Sequence, residues 1–241
     1  MIVAIHQPHY FPWLGYLDKM AKADKFVVLD EVQLTDRSPM VRNKFLQSNG
    51  ESKFLSLSIE KKGYRDKKTK EIVLFNTDEL LKNHEKFIIY NYKKSLFFEK
   101  IWEEIKSVFL DKYVYLIELE MKTVSLLRNL FNIKTDIAYQ SNLDYDRDSK
   151  NSDLMLSLTK AVGGNIYLSG NGARSYMKED EFNKQGVRVV YQEFSYPKYS
   201  QFNSKEFVPN LSALDMLFNL GVEKSREIFW NNVDKQKIKE K

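Results

Sequence analysis

Residues 2–20, IVAIHQPHYFPWLGYLDKM, contain an apolar run, a turn and the start of a helix, in that order. The run from Ile2 to Ile5 is followed at once by turn residues, which is typical of a short buried strand. Behind Pro12, a residue favoured in a first helical turn, apolar residues recur at helical spacing as far as Met20. A second apolar run, Phe26 to Leu29, is too distant for a hairpin. The two strands are therefore predicted to be parallel, with a right-handed crossover between them.

The same alternation of strands and helices resumes after a long helical stretch. Amphipathic patterns over residues 78–92, 98–110 and 113–131 predict a helical block. Residues 54–59 and 72–75 are expected to pair as an antiparallel excursion. Later patterns predict strands at 136–139, 166–168 and 187–191 and helices at 154–162 and 211–220, the last closed by Gly221. The fold class is therefore predicted to be α/β, with a three-layer Rossmann-like, mostly parallel sheet and an inserted or appended helical block.

Length and composition predict one domain rather than several. Of the 241 residues, 43% are hydrophobic, which is enough for a sizeable core. Residues 1–232 are assigned to a single α/β domain with a helical subdomain at about 78–131. Residues 233–241, which carry lysines at 235, 237, 239 and 241, are predicted to be a disordered basic tail. Neither a leader peptide nor a membrane span is recognised, which predicts a cytoplasmic protein.

Charge and cysteine content exclude several classes of site. The 38 basic and 33 acidic side chains give a net charge of 38 − 33 = +5, too small an excess to identify a nucleic-acid binder, and no DNA partner is predicted. The absence of Cys excludes disulfides, thiolate-bound zinc, iron–sulfur clusters and a cysteine nucleophile. The three His do not occur at zinc-binding spacing, so no metal site is predicted.

The turn after the first strand is the strongest candidate for chemistry. In an open parallel sheet such a turn lies at the carboxyl ends of the strands, where ligands bind. His6 and His9 are predicted to be functional there, because an imidazole at a strand end has little packing value. The start of the following helix offers free backbone N–H groups for phosphate. The other predicted ligand contacts of this turn are Gln7, Tyr10, Trp13, Gly15 and Tyr16, although helix initiation and core packing would explain some of its aromatic residues equally well.

A second polar group follows the second apolar run. Asp30 directly ends that run, and a carboxylate at a strand end can bind ribose hydroxyls, hold a metal or act as a base. Gln33, Arg42 and Asn43 are predicted to contact the ligand, with Arg37 and Arg42 among the cations that would neutralise phosphate. Solvated loop charge accounts for part of this group.

A third group is the turn Ser169-Gly170-Asn171-Gly172, with Arg174 behind it. Two Gly two residues apart after a strand allow a ligand to approach the backbone closely. A tight turn alone would use the same residues, and the turn lacks both the third Gly of a dinucleotide fingerprint and the Lys of a P-loop. Ser169, Asn171 and Arg174 would supply a hydroxyl, an amide and a guanidinium to a phosphate or sugar.

Two further residues complete the candidate set. Tyr199 lies in an aromatic and polar stretch before the last helix and is predicted to stack on a base or sugar. His84 lies on an amphipathic helix, where a lone His is more often structural.

The first turn resembles that of the nucleotidylyltransferase-like superfamily. In that group, two His flank a Gly at the start of the first helix and hold nucleotide phosphates. Here Gly15 is flanked by Leu14 and Tyr16 instead. The resemblance therefore implies a nucleotide or phosphate site without the usual His pair.

Taken in order along about residues 1–230, these motifs resemble the WbqC-like protein family of bacterial O-antigen and other surface-glycan loci. Two positions depart from the family pattern: Tyr196 replaces a His before Pro197, and Phe54 replaces a Trp. The resemblance implies modification of amino sugars, including transfer of glycine or another acyl group to a nucleotide-linked amino sugar. The residues that carry it are His6-Gln7-Pro8, Tyr10, Pro12 to Tyr16, Val28 to Gln33, Arg42-Asn43, His84, Tyr92, Tyr167 to Gly170, Gly172-Ala173 and Phe207 to Asn219.

The leading functional prediction is a transferase of lipopolysaccharide or other surface-glycan biosynthesis that N-acylates, or aminoacylates, a nucleotide-linked amino sugar. His6 or His9 would take the proton from the sugar amine, and Asp30 would orient that His or the amine. Backbone amides at Gly15 and at Gly170 to Gly172 would hold phosphate or the developing oxyanion. No cofactor is assigned beyond an activated acyl or aminoacyl donor, for which a tRNA is one source.

Two alternatives remain open at this stage. In the first, the protein is a nucleotidyl or adenylyl transferase, His6 and His9 contact phosphates, and Asp30 binds Mg²⁺. In the second, it binds a nucleotide sugar or tRNA without catalysis.

Overall fold

The computed structural model describes residues 1–34, 40–233 and 238. Arg37 and the lysines of the predicted basic tail lie outside this part of the chain. The strands are β1 (Ile2–His6), β2 (Lys25–Val28), β3 (Arg42–Leu46), β4 (Ser52–Ser56), β5 (Asp136–Tyr139), β6 (Ile166–Ser169) and β7 (Arg188–Tyr191). The helices are α1 (Leu14–Lys22), α2 (Thr77–Tyr92), α3 (Phe98–Ile105), α4 (Ser107–Leu110), α5 (Leu116–Leu130), α6 (Asn151–Ala161), α7 (Glu179–Lys184) and α8 (Ala213–Asn231).

A five-stranded sheet with the order β5-β2-β1-β6-β7 forms the centre of the molecule, and every neighbouring pair of strands is parallel. In this register Ala4 of β1 lies opposite Phe26 of β2 and Leu168 of β6. The parallel crossover from β1 to β2 is confirmed. The predicted α/β class, with a mostly parallel Rossmann-like sheet flanked by helices, is confirmed as well.

The strands read as continuous apolar runs because helices cover both faces of the sheet. Ile2 and Ala4 of β1 belong to one hydrophobic cluster, together with residues of α1, α8 and the helices α2 to α5. Val3 and Ile5, which alternate with them, belong to a second cluster that includes Leu158 of α6 and residues of α7. Successive side chains of a strand point to opposite faces of the sheet, so those of β1 alternate between two hydrophobic cores.

Helix α1 is buried along its whole length, although it contains three charged residues. The Lys22 ammonium lies 2.9 Å from an oxygen of Asp18 and also donates a hydrogen bond to the carbonyl of Glu193. Lys19 donates to the carbonyl of Ile5 on the neighbouring strand. Since buried charges are expensive without partners, these bonds allow the helix to lie beneath other elements.

The helices α2 to α5 pack on the sheet through α8 and through the turn after β1. The ring of Phe98 in α3 stacks on Phe218 of α8 at a centroid distance of 5.6 Å. On α5, the Thr123 hydroxyl accepts a hydrogen bond of 2.9 Å from the backbone N–H of Phe11. Residues 98–110 divide at Lys106 into two short helices, α3 and α4, where the sequence predicts one. The helical block is thereby fixed directly to the predicted functional turn.

The predicted antiparallel pairing of residues 54–59 with 72–75 is confirmed at one place, the bridge between Ile59 and Leu74. The main partner of strand β4 is nevertheless β3, a strand that the sequence pattern did not reveal. The physical reason is that β3 buries the polar Asn43, whose amide donates a 2.6 Å hydrogen bond to the carbonyl of Phe11. A buried polar residue hides the apolar alternation that identifies a strand.

Gly221 interrupts α8, as predicted, but the chain then continues in helix to Asn231. Its φ of 73° lies in the left-handed region that glycine tolerates. The Phe97 ring also approaches so closely that a Cβ at this position would lie 2.6 Å from it. Both features require glycine at this kink.

Candidate functional site

The strand order creates a crevice between β1 and β6. From β1 the chain moves to β2 and β5 on one side, and it later returns to β6 and β7 on the other. Ligands of open α/β sheets bind at such a reversal, outside the carboxyl ends of the strands. The last residues of β1 and β6 are His6 and Ser169. Two of the predicted functional turns therefore meet at the place where the topology favours a ligand.

A pocket of about 1000 Å³ lies at this crevice. The turn after β6, the first turn of α6 and the segment before α7 form its walls. Of the predicted site residues, the pocket brings together His6, Gln7, Ser169, Gly170 and Gly172. A Cβ at Gly170 or Gly172 would have no heavy atom within 4 Å, so the backbone here is open to a ligand.

His6 is half-buried at the rim of the pocket, with its tautomer fixed by its neighbour. Its Nδ1 lies 3.0 Å from the carbonyl oxygen of Gln7. A carbonyl only accepts hydrogen bonds, so Nδ1 carries the proton and Nε2 keeps the lone pair. Burial, and secondarily the nearby Lys19 ammonium, lower the pKa of His6 to about 3. The ring is therefore neutral at neutral pH.

Lys19 lines the same pocket and was missed from the sequence. Only 4% of the residue is exposed, and its Nζ donates a 2.9 Å hydrogen bond to the carbonyl of Ile5. Burial lowers the pKa of this amine from 10.5 to about 7. An amine with that pKa is present in both protonation states at neutral pH, as a general base requires.

His9 and Tyr16 lie behind His6 and are nearly inaccessible, with 3% and 2% exposed. The His9 ring lies 4.8 Å from the ring of His6 and 4.8 Å from that of Tyr16, centroid to centroid. Burial, followed by electrostatic interaction with His6 and Lys19, lowers the pKa of His9 well below 6.5. Neither residue lines the pocket; together they form its buried support on the β1 side.

Tyr10 and His84 form a separate buried pair. The Tyr10 hydroxyl lies 3.0 Å from Nδ1 of His84, which links the turn after β1 to α2. Burial lowers the pKa of His84 to about 4 and raises that of Tyr10 above its usual value. This pair lies outside the pocket and fastens the helical block to the sheet.

Trp13, Gly15 and Tyr199 also lie outside the pocket. The Trp13 ring stacks on Tyr196 at 6.4 Å and covers Gly15 so tightly that a Cβ there would lie 2.2 Å from it. The Tyr199 hydroxyl donates a 2.8 Å hydrogen bond to the carboxylate of Asp215. In this structure the three residues pack around the N-terminal ends of α1 and α8.

Asp30 is buried at the end of β2, and both of its carboxylate oxygens accept hydrogen bonds from Ser141, one from the backbone N–H and one from the hydroxyl. The structure thus ties Asp30 to the turn after β5 rather than to either histidine. Gln33 is exposed, and its backbone forms an isolated antiparallel β-bridge with that of Lys68.

The remaining predicted contacts lie at the periphery. Arg42 places its guanidinium 4.3 Å from the centre of the Phe54 ring, and Arg174 does the same over Tyr191 at 4.0 Å. Asn171 donates a 2.9 Å hydrogen bond to the carbonyl of Gln192. Asn43 is the buried amide of β3 that holds the turn after β1. None of these four side chains lines the pocket.

Within residues 1–34, 40–233 and 238, no three His, Asp or Glu side chains are grouped so that they could hold a metal ion. In the same part of the chain, every helix is too short or too polar to cross a membrane.

Comparison with known proteins places the chain in a family. Over 224 residues it is 30% identical to the uncharacterized protein Rv1507c of Mycobacterium tuberculosis, covering 92% of this chain and 94% of that protein. No solved structure matches the chain. Residues 7–227 match the WbqC-like protein family, a span that includes both turns at the pocket. The chain belongs to the WbqC-like protein family.

Proposed function

We propose that the protein is a transferase that N-acylates, or aminoacylates, an amino sugar carried on a nucleotide, as a step of surface-glycan biosynthesis. The observation that carries the proposal is the pocket between β1 and β6, where a neutral histidine and a lysine with a pKa of about 7 line one cavity. About 1000 Å³ is at the upper end of ordinary ligand pockets and is enough for a nucleotide sugar.

The far wall of the pocket has the chemistry of a phosphate site. The turn from Ser169 to Gly172 presents open backbone, and the first turn of α6 lies opposite it. Unpaired N–H groups and the positive end of the helix dipole favour a phosphate there. Lys150 and Lys178 line the same wall, although Lys178 also pairs with Asp153 at 2.9 Å. We therefore orient the diphosphate towards α6 and the sugar towards β1.

The reaction needs a group that accepts a proton near neutral pH. The lone pair of the sugar amine attacks the acyl carbon of the donor, a C–N bond forms, and the bond to the leaving group breaks. The amine proton passes to the neutral form of Lys19, whose pKa matches this task better than that of His6. His6, with Nε2 free to accept a hydrogen bond, orients the amine. This assignment moves the role of base from the two histidines to Lys19, which lines the pocket together with His6.

The direct test is mass spectrometry of nucleotide amino sugars incubated with the protein and a panel of acyl donors, including aminoacyl-tRNA, acyl thioesters and acyl adenylates. The expected result is a sugar whose mass increases by one acyl group. Nucleotide sugars with a hydroxyl in place of the amine serve as the control and should stay unchanged. Pyrophosphate release from a nucleoside triphosphate, with no mass gain on any amino sugar, would overturn the proposal in favour of nucleotidyl transfer.

A further inference from the structure

Four buried polar atoms behind the pocket have no hydrogen-bond partner among the described residues. They are Nδ1 of His9, the hydroxyl of Tyr16 and both carboxyl oxygens of Glu120. Glu120 lies on α5 and has no exposed surface. Leaving such groups unpaired in the interior is costly, and more so for a charged group, so their presence together requires an explanation.

These groups come from three elements that meet at one place. His9 belongs to the turn after β1, Tyr16 to α1 and Glu120 to α5. The His9 and Tyr16 rings are 4.8 Å apart. On α5, the Thr123 hydroxyl contacts the carbonyl of His9 at 3.4 Å and the carbonyl of Glu120 at 2.8 Å, which brings the Glu120 turn of the helix against His9.

The cluster of His9, Tyr16 and Glu120 is uncharged in the free protein. Burial raises the pKa of Glu120 well above 4.5 and lowers that of His9 well below 6.5. Burial, and next the proximity of Glu120, raises the pKa of Tyr16. The titratable groups that face this cluster are His6, Lys19 and Tyr139, and the Lys19 ammonium is committed to the carbonyl of Ile5. Glu120 therefore has a buried carboxyl group without a cation.

We propose that His9, Tyr16 and Glu120 form a recognition site for a primary ammonium group of the ligand. An ammonium has three N–H donors, and the cluster offers an imidazole nitrogen, a phenol oxygen and a carboxylate as acceptors. On binding, Glu120 ionises and its proton leaves to solvent, so that one ammonium–carboxylate pair replaces a neutral acid. The pocket is adjacent, because the His6 ring that lines it is 4.8 Å from His9 and 5.2 Å from Tyr16.

This inference rests on the proposed function, which offers two sources of a primary ammonium: the amino group of the acceptor sugar and the α-ammonium of an aminoacyl donor. A metal ion is a weaker occupant, because the described residues provide only one histidine and one carboxylate at this place. A buried water would satisfy the hydroxyl, the imidazole and the neutral carboxyl of Glu120, but it would not ionise that carboxyl and would release no proton.

Calorimetry distinguishes the two sources of the ammonium group. We expect UDP-glucosamine to bind roughly tenfold or more tightly than UDP-glucose, which has a hydroxyl in place of the ammonium. If the donor supplies the ammonium instead, the two sugars bind alike, and glycinamide binds more tightly than acetamide. In either case titrations in two buffers of different ionisation enthalpy report about one proton released per amine bound.

In the variants Glu120→Gln and Tyr16→Phe, the amine ligand should bind about as tightly as its non-amine counterpart. The affinity for UDP-glucose should be unchanged. Tyr113→Phe is the matched control, because it removes another unpartnered buried hydroxyl outside the cluster and should keep the preference. Thermal melts of each variant show that it is folded. The inference would be overturned if UDP-glucosamine and UDP-glucose bound equally tightly and glycinamide and acetamide did so as well. Binding of Zn²⁺ or Mg²⁺ that depends on Glu120 would also overturn it.

The two proposals fail separately. Acyl transfer without a Glu120-dependent amine preference would contradict the ammonium site alone. An amine preference that depends on Glu120, in a protein that transfers no acyl group, would contradict the proposed reaction alone.

Discussion

Lys19 shows how burial changes the chemistry of one residue. An exposed lysine is charged at neutral pH, but the amine of Lys19 is enclosed between β1 and the pocket and has a pKa of about 7. The carbonyl of Ile5 accepts a hydrogen bond from this amine in its neutral form as well as in its ammonium form. This residue can therefore gain and lose a proton without breaking its contact with the strand.

Replacing Lys19 by Met should remove the pH dependence of acyl transfer near neutrality. In the proposed reaction the active form is the neutral amine, whose fraction rises as pH increases through about 7, so the wild-type kcat/KM should rise over the same range. In Lys19→Met the rate should fall by roughly 10²- to 10⁴-fold and this rising limb should disappear. The measurement is a pH–rate profile of product mass between pH 5 and 9.

Lys22→Met provides the control for Lys19→Met. It removes a second buried lysine of the same helix that binds Asp18 and does not line the pocket. We expect this variant to melt at a lower temperature but to keep the rising limb near pH 7. A Lys19→Met enzyme with an unchanged limb would show that another group is the base.

Two glycines predicted to serve the ligand should respond differently to Ala. Gly15→Ala places a Cβ 2.2 Å from the Trp13 ring and should cost about 1–3 kcal/mol of stability, because the indole is held by its stack on Tyr196. Gly170→Ala meets no atom within 4 Å and should leave the melting temperature unchanged while weakening nucleotide-sugar binding. Calorimetry and thermal melts measure both effects; a destabilised Gly170→Ala protein with normal affinity would contradict this distinction.

The histidines at the strand end could be recognised from sequence, whereas Lys19 and Glu120 could not. A histidine after an apolar run stands out because it interrupts the run. Lys19 and Glu120 lie inside amphipathic helical patterns, where a charged residue is normally assigned to the solvent face. Helix α1 is instead buried on every side, a consequence of packing between elements far apart in sequence.

At the scale of elements, Glu31 joins two loops to the end of β2. Its carboxylate accepts hydrogen bonds from Lys68 and Lys70 at 2.9 Å and from Arg147 at 2.6 Å. Although burial raises its pKa, these hydrogen bonds lower the pKa of Glu31 from 4.5 to about 2. The charged carboxylate therefore holds the segments around residues 68–70 and 147 in place.

Glu31→Gln should lower the free energy of unfolding by about 1–3 kcal/mol at pH 7, because its three basic partners are partly exposed and screened by solvent. The folded pKa of about 2 lies below the ordinary value of 4.5, so between these two pH values the folded state binds fewer protons than the unfolded state. The stabilisation should be complete above about pH 5 and lost as pH falls towards 2.

Urea denaturation at pH 7 and at pH 2.5 measures this difference. Glu103→Gln, which removes an exposed ion pair with Lys106, is the control and should have little effect at either pH. The gap in unfolding free energy between wild type and Glu31→Gln should be much smaller at the lower pH than at pH 7. A gap between them that is as large at pH 2.5 as at pH 7 would contradict the role of the ionised carboxylate.

Elements with an uninterrupted apolar signal were predicted best. The central strands β1, β2 and β6 are fully covered, so their sequences are apolar throughout and their positions follow directly. Strand β3 escaped recognition because its position 43 holds an amide that is satisfied by the distant turn after β1. The pairing of a small antiparallel hairpin depends on such long-range contacts, which local pattern does not contain.

At the scale of the whole molecule, the sheet order determines where chemistry can occur. In the order β5-β2-β1-β6-β7 the strand order reverses at β1, so the segments that follow β1 and β6 leave in opposite directions and a crevice lies between them. The sequence predicted parallel strands and polar turns after them, and from these a shared ligand site. It did not predict that α6 would form the opposite wall or that α5 would reach behind the turn with Glu120, because both depend on how the helices dock.

A structure of the protein with bound UDP-glucosamine tests the central claim, the nucleotide-sugar site between β1 and β6, most directly. We predict that the diphosphate lies against the turn from Ser169 to Gly172 and the first turn of α6. The sugar should lie beside His6 and Lys19. A nucleotide sugar bound elsewhere, with the crevice between β1 and β6 unoccupied, would contradict the assignment of this pocket as the site of the reaction.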